Sequence, residues 1–224
     1  MATHPSLSSQ QRANVLRAYR YRGRRDRQLY LSYSVKIDRD CILSSNYRFL
    51  HWLIYLEADP EVITFELLDD VTAGKRAEGA RDNVHAWATM RNRVIVGHRI
   101  VADELCEPGG LARGHEEDTE GEVRLIRQSD LRAKSSLAMR NAKIVCFAAA
   151  LRDQRLNAPT LLLTDTARSI QSGTVQQLLD AMHGVNDAIA KGLIARLALT
   201  GWLSLDLSCS GYTQNTPWRW EGRS

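Results

Sequence analysis

Long apolar runs are missing from this chain. None approaches the roughly 18 residues that a membrane-spanning helix needs, and the N-terminal stretch MATHPSLSSQQRANVL contains no apolar signal core. The 4 cysteines are widely spaced and form no CxxC pair, which argues against a zinc knuckle and against a secreted disulfide scaffold. We therefore expect a cytoplasmic protein with reduced thiols and no membrane partner.

Several catalytic signatures are also missing. No G-x-S-x-G or Cys–His–Asn pattern is present, and the glycines of EPGGLARG lack the strand-to-helix setting of a phosphate-binding loop. His51, His85 and His98 offer nitrogen ligands, but we can place no third and fourth ligand for zinc beside the last two. We therefore expect no zinc site and no serine or cysteine nucleophile.

The net charge is only +4, but its distribution is uneven. Residues 1–28 form a basic N-terminal arm in which tyrosines are interleaved with arginines. Such an arm is suited to contacts with phosphate backbones, and the alternative is docking on an acidic protein. The arm contributes five predicted DNA-binding residues: Arg20, Arg22, Arg24, Arg25 and Arg27.

Apolar periodicity predicts a helix through Phe49 and Leu56 that ends at Asp59-Pro60. Strands are predicted at VITFELL, NVHAWATM and RVIVGHRIVA, the last two joined by a turn at Arg91-Asn92. A long helix follows, capped by Ser129, and then TLLLT as a short buried strand. The C-terminal part reads as two helices, the strand WLSLDL and a tail containing TPWRW.

This order predicts an α/β protein with a mixed sheet flanked by helices and a small helical or winged C-terminal part. We place the core at residues 29–166 and the C-terminal part at 167–224. Within the core, residues 103–122 contain eight acidic residues against Arg113 alone. We interpret this segment as a mobile acidic loop, with a cover for the basic arm as the alternative.

The stretch SSNYRFLHWLIYLEADPEVITFE resembles the N-terminal domain of TnsA-type transposon endonucleases. The likeness lies in Leu56-Glu57, Asp59-Pro60, Val62 and Phe65, and it is strongest over residues 30–66. It implies a restriction-endonuclease-like fold of the PD-(D/E)xK type, a role in transposition, and DNA, a transposase and an AAA+ ATPase as partners. The Q-P segment of the family is absent after Glu66, where the sequence is ELLDD.

The resemblance also implies where catalytic acids and a lysine belong, and these positions are degenerate. Residues 41–56 contain no acid, so the helical glutamate is missing near Tyr47. Asn83 stands at the strand aspartate, with Asp82 one residue out of phase. In the E-x-K motif Gly97 replaces the acid and Arg99 the lysine, and arginine stays protonated. We therefore predict no catalytic residues, no metal and no cofactor.

Two alternatives remain open. The chain is an active Mg²⁺-dependent endonuclease if Glu66 and Asp82 hold the ion on adjacent strands. It is a non-catalytic protein-binding scaffold if its arm docks on a partner. For the preferred DNA-binding function we add Arg91, Arg93 and Arg99 to the DNA-binding residues. We assign Trp218 and Trp220 to a protein contact.

Overall fold

A computed structural model describes residues 29–44, 47–68, 84–103, 122–152 and 154–222. The basic arm and residues 104–121 of the acidic segment lie outside this range. The chain divides into two compact units, the first Met1–Ser32, Arg39–Leu53 and Val62–Lys134, the second Tyr33–Asp38, Ile54–Glu61 and Ser135–Ser224. Within the described residues, no helix is both long and apolar enough to cross a bilayer.

The N-terminal elements are two short strands and a helix. Strands β1 (Leu29–Ser34) and β2 (Arg39–Ser44) form a two-stranded sheet, and α1 follows at Tyr47–Ala58. The predicted end of this helix is confirmed. The Asp59 carboxylate accepts a hydrogen bond from the Glu61 N–H at 2.9 Å, which together with Pro60 turns the chain toward the next strand.

The first unit contains a four-stranded sheet in the order β3-β4-β5-β6. Its strands are β3 (Val62–Leu67), β4 (Ala86–Met90), β5 (Ile95–Val101) and β6 (Glu122–Arg127). The first three pair antiparallel, while β6 pairs parallel to β5, so the sheet is mixed as expected. The sequence predicted β3, β4 and β5 but missed β6, which lies where the acidic segment ends.

One face of this sheet is buried, and we call it the inner face. Phe65, Ala86, Ala88 and His98 are each at most 5% exposed on this face. Trp52 of α1 lies against it, because its indole N–H donates a hydrogen bond to His98 Nδ1 at 3.3 Å. The alternation along β3 and β4 therefore places apolar side chains toward α1 and leaves the other face, the outer face, for polar and larger groups.

Two helices follow the four-stranded sheet where the sequence predicted one. The expected single long helix is two helices, α2 (Gln128–Ala133) and α3 (Ser135–Ala149), separated at Lys134. Ser129 does not cap α2; its backbone N–H donates to the Asp103 carboxylate at 2.8 Å. The polar residue at 129 therefore sits one position inside the helix.

The predicted strand TLLLT is wrong, because these residues lie in α4 (Asn157–Ile170). Three consecutive leucines suggested a buried strand, but Leu161 is 65% exposed while Leu163 is fully buried. Leu163 and Ala167 are spaced by one helical turn and form the buried face. The boundary placed between residues 166 and 167 falls inside this helix.

The second unit continues with β7 (Ser172–Thr174), α5 (Val175–Ala181), α6 (Asp187–Leu199), β8 (Leu203–Leu205) and β9 (Pro217–Trp220). The three strands form an antiparallel sheet in the order β7-β9-β8. Thr174 and Gln177 form a capping box at the start of α5, and the Asn186 side chain caps α6. The two predicted C-terminal helices are therefore confirmed, together with the strand at WLSLDL.

Helix α6 is almost completely covered within its own unit. Asp187 and Ala188 are its exposed residues, and the rest of the helix is buried or partly buried. At Gly192, an added Cβ would stand 2.6 Å from Leu151 side-chain atoms and 2.9 Å from the Phe147 carbonyl oxygen. Gly192 therefore allows α3 and the residues after it to approach α6 more closely than any larger residue permits.

Candidate functional site

Four side-by-side residues cross the outer face of the first unit's sheet. Glu66 pairs with Trp87, Trp87 with Gly97, and Gly97 with Val123 in the strand register. Residues paired in this way point to the same face of a sheet. This row includes Gly97, where the resemblance places the acid of the E-x-K motif, and it defines the candidate site.

The space above Gly97 is occupied by the indole of Trp87. A Cβ added at residue 97 would stand 2.8 Å from Trp87 Cζ3, 3.0 Å from Cη2 and 3.2 Å from Val123 Cγ2. Real Cβ atoms do not come this close to ring carbons, so no larger side chain fits without displacing the indole. The position where the resemblance places a carboxylate ligand therefore has none, and an aromatic ring fills the space above it.

The charged neighbours of this row lie on either side of the indole. Arg99 follows Gly97 by two residues, so it shares the outer face, and it is partly exposed. Glu66 is exposed on the opposite side of Trp87. Among the described residues no cluster of three His, Cys, Asp or Glu side chains stands ready for a metal ion. Asp82 and Asn83 lie outside the described residues, as does the Tyr47 side chain.

His85 and His98, whose rings both lie near Trp52, have structural contacts. Trp52 lies between His98 and His85, with ring-centroid distances of 6.1 and 6.5 Å. His98 Nδ1 accepts a hydrogen bond from the Trp52 indole, and His85 Nδ1 accepts one from the Ile100 backbone N–H at 2.9 Å. One nitrogen of each imidazole is therefore engaged in holding α1 or β5, a role that spacing alone did not indicate.

The β4–β5 turn presents two cations. Arg91 and Arg93 are both exposed, and Arg93 adopts a positive φ of 67°. The Met90 N–H donates to the Val94 carbonyl oxygen at 2.9 Å, and the Asn92 side chain accepts from the Val94 N–H at 3.0 Å. Glycine usually occupies the left-handed position of such a turn. The turn was predicted, and it carries an arginine at a position that disfavours one.

Glu57 is a buried acid in the second unit whose role the sequence did not reveal. It is 1% exposed, and its carboxylate accepts hydrogen bonds from the Ser34 hydroxyl and the Val35 N–H, each at 2.6 Å, and from the Lys36 N–H at 3.1 Å. Burial raises the pKa of Glu57, while these donors and the Lys36 charge oppose the rise. Glu57 therefore fastens the turn after β1 to the C-terminal end of α1.

Lys36 makes a second set of contacts at the same place. Its ammonium group donates to the Leu56 carbonyl oxygen at 2.8 Å and to the Asp59 carbonyl oxygen. These carbonyls belong to the last turn of α1 and to the residue after it, where a cation is favoured by the helix dipole. The LEADP segment that carries the family resemblance is therefore a structural anchor, with its glutamate turned inward.

The C-terminal tryptophans are part of the fold, and the burial of Trp218 corrects its assignment to a partner contact, while the assignment of Trp220 stays a prediction. Trp218 is 3% exposed in the core of the second unit, and its indole donates to the Thr174 carbonyl oxygen at 2.9 Å. Trp220 is partly exposed, with its ring 5.6 Å from that of Trp202 and the Arg168 guanidinium 5.9 Å from its centroid. The segment PWRW reads as a tail in sequence but forms the central strand β9.

The chain matches no protein-family model, no curated protein and no solved structure.

Proposed function

We propose that this chain is a TnsA-like, DNA-binding protein that no longer cleaves DNA and that recruits partners in transposition. The observation that carries the loss of cleavage is the Trp87 indole over Gly97. A metal-dependent nuclease needs a carboxylate at this place to hold the ion that activates water. In this chain residue 97 is a glycine and carries no carboxylate, and the Trp87 ring occupies the space that a side chain at this position would need.

The architecture of the first unit supports the proposed fold. Helix α1 packs on a sheet whose first three strands form an antiparallel meander and whose fourth strand runs parallel to the third. This is a mixed sheet flanked by a helix, as the restriction-endonuclease-like interpretation requires. The degenerate motif, Gly97 to Arg99, falls on β5 in the interior of this sheet.

The cations of the first unit support DNA binding. Arg91 and Arg93 are exposed at one end of the sheet, and Arg99 lies on the outer face. Arginine binds phosphate through paired donors and keeps its charge at all physiological pH values. The strain of a positive φ at Arg93 favours a functional reason for arginine there, because glycine suits the backbone better.

A salt-titrated binding assay on a DNA duplex tests this function. Arg91→Ala/Arg93→Ala should weaken binding and reduce the slope of log K against log salt by about 2, since each phosphate contact contributes about 0.9. Arg219→Ala is the matched control, because Arg219 is exposed on the second unit. Equal binding by all three proteins would exclude the turn as a DNA contact.

A plasmid-nicking assay with Mg²⁺ and with Mn²⁺ separates this proposal from an active endonuclease. We expect no nicking. Metal-dependent nicking that disappears in Glu66→Ala would establish the relocated-acid alternative, since Glu66 is the exposed acid of the row.

The scaffold alternative has one observation in its favour. In the second unit a helix, a strand, two helices and two further strands follow one another, with sheet order β7-β9-β8, and this order is compatible with a winged helix-turn-helix arrangement. In groove-reading proteins of this kind the second helix of the pair enters the major groove. Here that helix is α6, which α3 covers, so this unit is better suited to contacts with protein than with base edges.

A further inference from the structure

We infer that the outer face of the first unit's sheet binds an unpaired nucleobase, with Trp87 as the stacking surface and Arg99 on the adjoining phosphate. The inference rests on the proposed DNA-binding function and assigns it a ligand class. An aromatic ring lies where the resemblance places a metal-binding acid, and such a ring can stack on a base.

The Trp87 ring rests on the backbone of β5, and this support limits its motion, as base stacking requires. The far edge of its six-membered ring lies over Gly97 and beside Val123, so the indole has a fixed support. It remains partly exposed. A supported ring loses little conformational entropy when a base stacks on it, and aromatic stacking tolerates every base because each has a π-face.

Arg99 supplies the positive charge next to this ring. It lies two residues beyond Gly97 on the same face, about 7 Å along the strand. This distance is within the reach of an arginine side chain, so a base over Trp87 can have its phosphate at Arg99. Aromatic rings interleaved with cations are the usual pattern of single-strand binding surfaces.

Glu66 adds a preference among the bases. It is exposed directly across the strand pair from Trp87, on the side away from Gly97. A carboxylate accepts hydrogen bonds from the exocyclic amino group of cytosine, and adenine and guanine also carry amino groups. Thymine has no amino group, and the carbonyl oxygens on either side of its N3–H repel a carboxylate. We therefore expect the site to prefer an amino-bearing base over thymine.

The test compares full-length protein on three fluorescently labelled duplexes: blunt, with a short oligo-dC overhang and with an oligo-dT overhang. We expect the dC overhang to bind about tenfold more tightly than the blunt duplex, a gain within the range of one base stacked on an aromatic ring. The dT overhang should fall between the two.

Substitutions at Trp87 and Glu66 test the role of each residue separately. Trp87→Ala should bring binding of the overhang duplexes down to that of the blunt duplex measured with the same variant, and Trp87→Phe should keep part of the gain. Glu66→Ala should abolish the difference between dC and dT. Ile95→Ala is the matched control. Ile95 lies on β5, two residues before Gly97 and on the same outer face, and it is 50% exposed. Thermal melts confirm that each variant is folded.

The outcomes separate the two claims. Binding to the blunt duplex with no gain from either overhang, unchanged in Trp87→Ala, overturns the nucleobase site and leaves DNA binding intact. Absence of binding to all three duplexes overturns the proposed function as well. An effect of Ile95→Ala equal to that of Trp87→Ala points to a general apolar surface for protein and contradicts the nucleobase site.

Discussion

The Ser34 hydroxyl and the Glu57 carboxylate are joined by a buried hydrogen bond of 2.6 Å, although 23 positions separate them in sequence. Two backbone N–H groups bind the other oxygen of the same carboxylate. This contact fixes the turn after β1 on α1, while the burial of Glu57 gives the stability of the protein a pH dependence of definite sign.

Because burial raises the pKa of Glu57, the native state holds this proton more tightly than the unfolded chain does. The stabilising contribution is therefore full below the ordinary pKa of 4.5 and is lost as pH rises through the raised native pKa. In Glu57→Gln this contribution should disappear. Urea unfolding at several pH values measures it, and an unchanged profile in the variant would contradict the assignment.

Glu57→Ala should behave differently from Glu57→Gln. The glutamine oxygen can still accept from both backbone N–H groups while its amide donates to the Ser34 oxygen, so the network survives. Alanine leaves these donors without an acceptor, at roughly 1–3 kcal/mol for each one left unsatisfied. The free energy of unfolding at neutral pH distinguishes the two, and equal losses would show that the charge itself is required.

Gly97→Ala should destabilise the protein by about 1–3 kcal/mol, since its methyl group meets the Trp87 ring. The cost should fall when Trp87 is also replaced by alanine, because the clash needs both partners. A double-mutant cycle in chemical denaturation measures this coupling. Additive effects of the two substitutions would show that the indole does not fill the space at residue 97.

Gly192→Ala should cost about 1–3 kcal/mol, because the Phe147 carbonyl oxygen is backbone and cannot rotate away. Gly211→Ala is its control, as nothing lies within 4 Å of a Cβ there, and it should stay within about 0.5 kcal/mol of the parent. Thermal unfolding compares them. Similar melting temperatures for both variants would mean that α3 and α6 separate more readily than their packing indicates.

Arg93→Gly should stabilise the fold while weakening DNA binding. Relief of the left-handed backbone at residue 93 is worth roughly 1 kcal/mol. The same substitution removes an exposed cation from the turn. Stability and affinity measured on one preparation should therefore move in opposite directions, and unaltered affinity would assign Arg93 no part in binding.

Much of the fold could be predicted from local pattern. Alternating apolar residues predicted β3, β4 and β5, and Asp59-Pro60 predicted the end of α1. TLLLT was mistaken for a strand because consecutive leucines suit both a buried strand and a helix. β6 was missed because EVRLIR follows a run of acids, and its pairing with β5 is a long-range contact that no local pattern shows.

For the candidate site, the sequence predicted only which acidic residues are missing. Residues 41–56 contain no acid, and a glycine stands at position 97, where the resemblance places one. That Trp87 fills the space depends on the register of β4 against β5, which local pattern does not specify to one residue. The burial of Glu57 was not predicted, because it depends on contacts with a turn more than 20 positions away.

The parallel pairing of β6 with β5 has a consequence for the order of folding. Strands β4 and β5 are joined by a tight turn at residues 91–93, whereas residues 102–121 separate β5 from β6 in the sequence. Bringing two strands together that are distant in sequence costs chain entropy, and this cost precedes the stabilising contacts between β5 and β6. Substitutions in β6 should therefore speed unfolding, while those in the β4–β5 hairpin should slow folding.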